Sequence, residues 1–489
     1  MNRPKRLSPQ WLVVGGMFAL MSLCVPSVRA HQPVPDEPPL RHTEPLETVV
    51  ADLEEFIPAL LDSSGVPGLA IALVRDGQVA WAKGFGVSNR ITGTPVTPET
   101  AFEVASISKV VTAYTALRLV DQGHLTLDEP LAASLATQWL SVSDYASKIT
   151  LRHLASHSAG LKNNDLGPID KTAMFEPGSD FAYSGVGALY MQEAVEQVTN
   201  SSLEDAAQTL VFQPLGMQSS SFAGRADLEL RTANGHIGYA LPLLFFLIPF
   251  VGILVVLTLA GTVVHRISAG HWRPARRLMV VTASVATLLT LVLIYFTLGR
   301  ALPNLMLLGV LSVLVFGGVL ALVSFLLRKT ITRLAESPLH PRLYVSGMVV
   351  TVVALLSLSG TVTGPMPSLL FPPPSAIGSL QTTAPDLAAF LAEVASPRLL
   401  DAGTASQIGS PQIAIDEDFS WGLGIGIQHS DQGETLWHNG MTPGFRSVMV
   451  IYPEHQWGVV VLTNSDAGEQ LVYDVAARAL GGKAQWSSF

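Results

Sequence analysis

The sequence predicts an α+β fold: an antiparallel sheet flanked by helices, assembled from both ends of the chain and interrupted by four transmembrane helices. Three observations predict it. Apolar, strand-like runs flank Asp76-Gly77 near the front of the chain, and a second hairpin followed by a helix closes it. Between them lie four long apolar runs without a charged side chain. Sheet and helices gathered in blocks, with no regular βαβ alternation, are the mark of α+β architecture.

Composition bounds the answer. The 489 residues are 48% hydrophobic and only 14% charged, with mean hydropathy +0.39. A soluble domain carries roughly 25% charge, so part of this chain belongs in a bilayer. The net charge of −9 and a pI near 5.7 leave no basic stripe for phosphate backbones, which excludes nucleic acid as a partner. The single cysteine, Cys24, falls in the leader, so the mature chain would hold no disulfide and no thiol nucleophile.

Residues 1–30 read as an export signal: basic Arg3, Lys5 and Arg6, an apolar core from Trp11 to Val25, and the small-residue site Val28-Arg29-Ala30. An uncleaved anchor is the other reading, although the apolar run is short for a span. Residues 31–45 are Pro-rich and polar, a linker. Residues 46–240 then form the first part of a globular domain. Leu46, Val50, Leu53, Ile57 and Leu60 recur at helical steps. Leu69 to Val74 and Val79 to Trp81 make a hairpin across Asp76-Gly77, because glycine accepts the positive φ of a tight turn. Helical periodicity returns with Val110, Tyr114, Leu117 and Val120, and Gly123 is its stop.

Residues 241–363 form the apolar block, with spans at about 241–264, 278–298, 302–327 and 343–363. None contains Asp, Glu, Lys or Arg, and each has about the 20 residues a bilayer demands. Arg266, Arg273, Arg276 and Arg277 follow the first span; Arg328, Lys329, Arg333 and Arg342 follow the third; only Arg300 follows the second. Basic loops stay in the cytoplasm, so both flanking segments lie outside, as the export signal also requires. Helices without ionisable groups suit an anchor better than a transport path. Residues 375–489 complete the domain, with strands at Ser447 to Tyr452 and Gly458 to Leu462 and a helix from Leu471 to Leu480. Gly422-Leu423-Gly424-Ile425-Gly426 reads as a strand edge.

The sharpest chemical feature is Ser106-Ile107-Ser108-Lys109. A serine hydroxyl needs a neighbouring base before it can attack. On a helix, positions three apart share a face, so Lys109 can reach the Ser106 oxygen, and Ser106 in the first turn would feel the helix dipole. A serine three residues before a lysine also arises by chance, and a solvated lysine fits that motif alone equally well.

The surroundings carry more. Val66-Pro67-Gly68-Leu69-Ala70, Phe102 through Lys109, and the stretch Ile149 to Leu161 (with His153-Leu154-Ala155-Ser156-His157-Ser158-Ala159-Gly160) closely resemble the serine β-lactamase-like family, on its class C side. So do Phe175-Glu176-Pro177-Gly178 to Tyr183-Ser184-Gly185, Pro214-Leu215-Gly216-Met217, Thr382 to Leu387 and His438-Asn439-Gly440, in the same order and comparable spacing. The resemblance covers about residues 45 to 240 and 375 to 489, outside the apolar block.

The resemblance implies a sheet with an added all-helical domain, Ser106 as acylated nucleophile, Lys109 as its proton-accepting partner and Tyr183 as shared general base and acid. A phenol could serve at neutral pH only if Lys109 lowered its pKa. His438 would stand beside the serine, Ser106 and Met441 would offer the oxyanion hole through their backbone N–H groups, and Gly185, Asn439 and Gly440 would line the substrate. Three departures from the family pattern matter. Gly185 stands where asparagine is usual, His438 replaces a lysine that would hold a substrate carboxylate, and Asn439 replaces serine or threonine. An extracytoplasmic esterase or D-amino-acid peptidase acting on a small molecule or peptide fits these better than a true β-lactamase. A catalytically weak, penicillin-binding-like protein that binds cell-wall fragments or signals through its spans is the alternative. No cofactor is expected, since no phosphate-binding glycine loop occurs, and no metal, since His153 and His157 lack a His-Glu-x-x-His context.

Overall fold

The computed structural model describes residues 38–163, 169–236 and 374–486. The expected signal segment, the first part of the linker and all four expected spans lie outside the described residues. Among the described residues no helix is long and apolar enough to cross a membrane. The chain divides between Pro39 and Leu40, and every element below belongs to the second unit.

Helix α1 (Leu46–Ser64) is closed by Gly65 at φ 69°, whose N–H donates to the Leu61 carbonyl. Its buried stripe is Val49, Leu53, Ile57 and Leu61, a clean four-residue step. The expected stripe through Leu46, Val50 and Leu60 therefore sits slightly off the true face, and those three are only partly covered. Within the stretch expected as a linker, Arg41 is anchored. Arg41 binds Glu44 and Asp52 through its guanidinium, and its backbone N–H donates to the Leu480 carbonyl, so this stretch is docked.

Strands β1 (Gly68–Arg75) and β2 (Gln78–Asn89) flank a turn in which Asp76 and Gly77 both have positive φ, at 52° and 71°. That is the primed turn whose twist matches a hairpin. Strands β3 (Thr94–Pro95) and β4 (Phe102–Glu103) lead to helix α2 (Ile107–Asp121). After the short helix α3 (Leu151–Ala155) comes α4 (Gly185–Thr199). Strand β5 (Gln381–Thr382) pairs with β4, and α5 (Ala384–Ala395) follows, capped by the Thr383 side chain with Pro385 in its first turn. Strands β6 (Ile413–Ala414), β7 (Phe419–Trp421), β8 (Gly426–Gln428), β9 (Thr435–Thr442), β10 (Phe445–Tyr452) and β11 (Trp457–Thr463) precede helix α6 (Glu469–Leu480).

The sheet runs β3-β2-β1-β11-β10-β9-β8-β7-β6, so the two ends of the sequence meet at β1 against β11. Strand alternation sorts its residues between two cores. Ala70, Ala72, Val74, Met449, Ile451, Val460 and Leu462 face α2 and α5. Leu69, Ile71, Leu73, Val448, Val450, Val459 and Val461 face α1 and α6. Helix α2 is buried nearly all round and has no single apolar face. Its small polar residues make this possible: Thr112 and Thr115 return their hydroxyls to the carbonyls of Ser108 and Val111. Gly422 to Ile425, read as sheet, instead form the bend joining β7 to β8. Gly424 has φ 90° and packs where a Cβ would stand 2.5 Å from Ala113 Cβ on α2.

Candidate active site

The entry to α2 is a strand-to-helix turn under strain. Ala105 has φ 48°, a left-handed conformation that costs a residue with a Cβ about 1 kcal/mol or more. The turn is pinned on two sides. The Val104 N–H donates to the Leu380 carbonyl, and the Ser447 hydroxyl on β10 donates to the Val104 carbonyl. Ser106 therefore occupies the N-cap of α2 without using its side chain as a cap. Its hydroxyl is free for Lys109, whose Nζ lies 3.0 Å away.

Lys109 is only 4% exposed and is no solvated surface lysine. Its amine also donates to the Ile377 carbonyl at 3.0 Å, and among the described residues it has no ion-pair partner. Burial without a counter-charge pushes its pKa down to about 7. The ring of Tyr183 lies 5.1 Å from the amine, and the Ser106 side chain is close enough to the phenol to act on its ionisation. Burial holds the phenol well above its usual range, with Ser106 opposing. The expected lowering of the phenol's pKa is thus not what burial favours: the lysine, and not the tyrosine, is the group whose pKa is moved toward neutral pH.

His438, 1% exposed on β9, has its ring centroid 6.1 Å from that of Tyr183. Its Nδ1 sits 2.6 Å from the Asn439 carbonyl, which fixes the proton there; Nε2 is a buried acceptor with no partner among the described residues. Burial and the nearby Lys109 lower its pKa to about 3, so it stays neutral. Strand alternation turns the next residue the other way. Asn439, expected at the substrate, donates its amide to the Tyr473 hydroxyl of α6 at 2.7 Å. Gly440 returns to the α2 side and touches the turn: a Cβ there would stand 2.0 Å from the Val104 oxygen. Strand β8 pairs β9 only from Thr435 to Trp437. Beyond it, His438 to Thr442 has β10 on one side and, among the described residues, an open edge on the other. Met441 on that edge is 53% exposed.

Gly185 opens α4, and its N–H donates to Asn163 Oδ1 at 3.1 Å. A side-chain amide thus stands beside the glycine that lacks one, supplied from a loop the sequence reading passed over. The structure brings Ser106, Lys109, Tyr183 and His438 together. It adds Trp421, whose ring lies 5.6 Å from His438 and 5.9 Å from Tyr183, and His157, 4.4 Å from Tyr183. The sequence offers His157 only as a metal-ligand candidate beside His153, because its nearness to Tyr183 depends on the fold. Among the described residues no cluster of three or more metal-ligating side chains forms.

A serine and a lysine one helical turn apart on an α+β body, joined by a phenol, belong with the serine hydrolases that work through an acyl-enzyme. Comparison with known proteins makes the membership specific. The family model described as Beta-lactamase matches residues 53–302 and 328–483, and the chain belongs to that family of serine hydrolases, with an esterase among its relatives. Penicillin-binding protein 4 of Amycolatopsis lactamdurans is 31% identical over 203 residues, covering 38% of this chain and 53% of that protein. Esterase EstB of Burkholderia gladioli is 27% identical over 229 residues, covering 40% of this chain and 57% of that protein. The chain spans about half the length of these curated relatives. The D-amino acid amidase of Ochrobactrum anthropi SV3 shares the fold, with TM-score 0.53 at 17% identity over 88% of this chain and 97% of that one.

Proposed function

We propose that this protein is a membrane-anchored, extracytoplasmic serine hydrolase that cleaves an ester or amide through an acyl-enzyme on Ser106. The observation that carries the proposal is the buried amine of Lys109, 3.0 Å from the Ser106 hydroxyl and neutral from about pH 7 upward. As Ser106 Oγ bonds to the substrate carbonyl carbon, its proton passes to Lys109. The oxyanion is held by the backbone N–H groups of Ser106 and Met441. The bond to the leaving group breaks as Tyr183 protonates that group, and the phenol recovers a proton from the lysine. Water then attacks the acyl carbon, yields its proton through the same pair and releases Ser106.

The substrate class follows from what surrounds the serine. His438 is neutral, so among the described residues it supplies no permanent cation for a carboxylate, and the rings of Trp421, Phe181 and Tyr183 pack as an aromatic wall beside it. An uncharged acyl group, as in a simple ester or a D-amino-acid amide, suits this wall better than a β-lactam carboxylate. The relationship to an esterase supports that choice. Anchoring and an outward-facing domain rest on the charge-free runs in 241–363 and the placing of their arginines.

Labelling of the purified full chain with a fluorophosphonate tests the assignment. Wild type is expected to label and to turn over a chromogenic ester many times per molecule, whereas Ser106→Ala does neither. Equal labelling of both would remove Ser106 as nucleophile. Labelling without turnover would favour the binding or signalling reading that the neutral His438 also allows.

A further inference from the structure

His157 lies outside the chemistry described so far, yet three independent contacts tie it to Tyr183. Its carbonyl accepts the Ala182 N–H at 2.8 Å. Its ring Nδ1 accepts the Ser184 N–H at 3.2 Å. Its ring packs on the phenol itself, centroids 4.4 Å apart and planes tilted by 43°. The N–H groups of the residues before and after Tyr183 are therefore both held by one residue, which also supports the ring between them. We infer that His157 is the positioning residue of the Tyr183 phenol, setting where its hydroxyl stands relative to Ser106 and Lys109.

The residue type suits this task. The position demands φ 55°, a conformation histidine and asparagine enter more readily than apolar residues. An aromatic ring there as mere core filling could be phenylalanine, but phenylalanine cannot accept the Ser184 N–H. That N–H belongs to the N-cap of α4, whose own hydroxyl accepts from Gly187 and donates to Lys162, so losing the acceptor would free the segment just behind the phenol. An N–H donated to Nδ1 places the ring proton on Nε2. Complete burial, with Lys109 and His438 nearby, keeps the imidazole from taking a second proton and so preserves the acceptor.

The inference rests on the proposed role of Tyr183, and the experiment separates the two. Ester turnover is measured for the full chain as wild type, H157F, H157N, Y183F and the double variant H157F/Y183F, with near-UV circular dichroism checking the fold. H157F keeps a ring but no acceptor, and its kcat should fall by about 10- to 100-fold with KM within about three-fold, as expected when a reacting group is displaced by less than a bond length. H157N keeps an acceptor close to the Nδ1 position and tolerates the backbone angle, so it should recover most of that loss. In the double variant the loss should be no larger than in Y183F alone, because His157 acts only through the phenol. A folded H157F with wild-type kcat, an H157N no better than H157F, or additive losses in the double variant each overturn the inference. If H157F does not fold, H157Q replaces it: its acceptor lies one bond farther out, and kcat equal to that of H157N overturns the inference. Wild-type activity in Y183F would instead remove the phenol from the mechanism, and this inference with it.

Discussion

Replacing Lys109 by methionine should inactivate the protein and stabilise it at the same time. The amine is almost fully buried without an ion-pair partner among the described residues, and its pKa falls from the ordinary 10.5 to about 7. At ~1.4 kcal/mol per pKa unit, that difference corresponds to roughly 5 kcal/mol of folding free energy lost at neutral pH. Methionine fills the same unbranched volume without a charge. It also forfeits two hydrogen bonds, to Ser106 Oγ and the Ile377 carbonyl, which together return about 2–3 kcal/mol. The net expectation is a gain of about 2 kcal/mol at pH 7, a melting point a few degrees higher. The pH dependence carries a definite sign. The folded pKa lies below the unfolded one, so between about pH 7 and 10.5 the unfolded chain holds the extra proton and wild-type stability climbs as pH rises. Methionine has no proton to hold, so K109M lacks that slope; its advantage shrinks as pH rises and reverses before pH 10.5, where only the two lost hydrogen bonds remain. Denaturant unfolding of both proteins at pH 7 and pH 10, beside ester turnover, measures all of this. A variant less stable than wild type by the same margin at both pH values, or one that still turns over ester, refutes the reasoning.

Two further outcomes follow from the same geometry. The pH profile of kcat/KM should rise through a midpoint near 7 as Lys109 loses its proton, with no fall below pH 10 because the Tyr183 phenol stays protonated; a profile flat from pH 5 to 9 counts against Lys109 as base. Gly440→Ala would set a Cβ 2.0 Å from the Val104 carbonyl and push β9 off the turn bearing Ser106. Turnover should drop by about 10- to 100-fold while the protein stays folded, and unchanged kinetics would show that the contact is not needed.

Local chemistry was readable from the amino-acid order alone. The Asp76-Gly77 turn, the helix after Ser106 and its end at Gly123, and the meeting of Ser106 with Lys109 all depend on residues within one turn of each other. The α+β body was legible too, because alternation and turn residues mark strands wherever they pair. The four expected spans and the export signal remain sequence expectations carried by hydropathy and charge. What is set by distant partners was misread in places. The buried line of α1 runs slightly off the expected apolar stripe, Gly422 to Ile425 form a bend instead of an edge while Gly426 opens β8, and Arg41 is docked on α1 and α6.

At the site, the order of residues determined which groups are present, and the tertiary structure decided what each can do. Tyr183, His438 and Ser106 come from separate stretches of the chain, and only the pairing of β1 with β11 and the packing of α2 on β9 and α4 brings them to one cleft. Burial, which no sequence position states, makes the lysine neutral near pH 7 and the phenol reluctant to ionise. Strand alternation sends Asn439 to α6 while leaving His438 and Gly440 beside the serine. The reason is general: hydrogen bonds within a turn are fixed by the residues that make it, whereas desolvation and facing depend on everything packed around them.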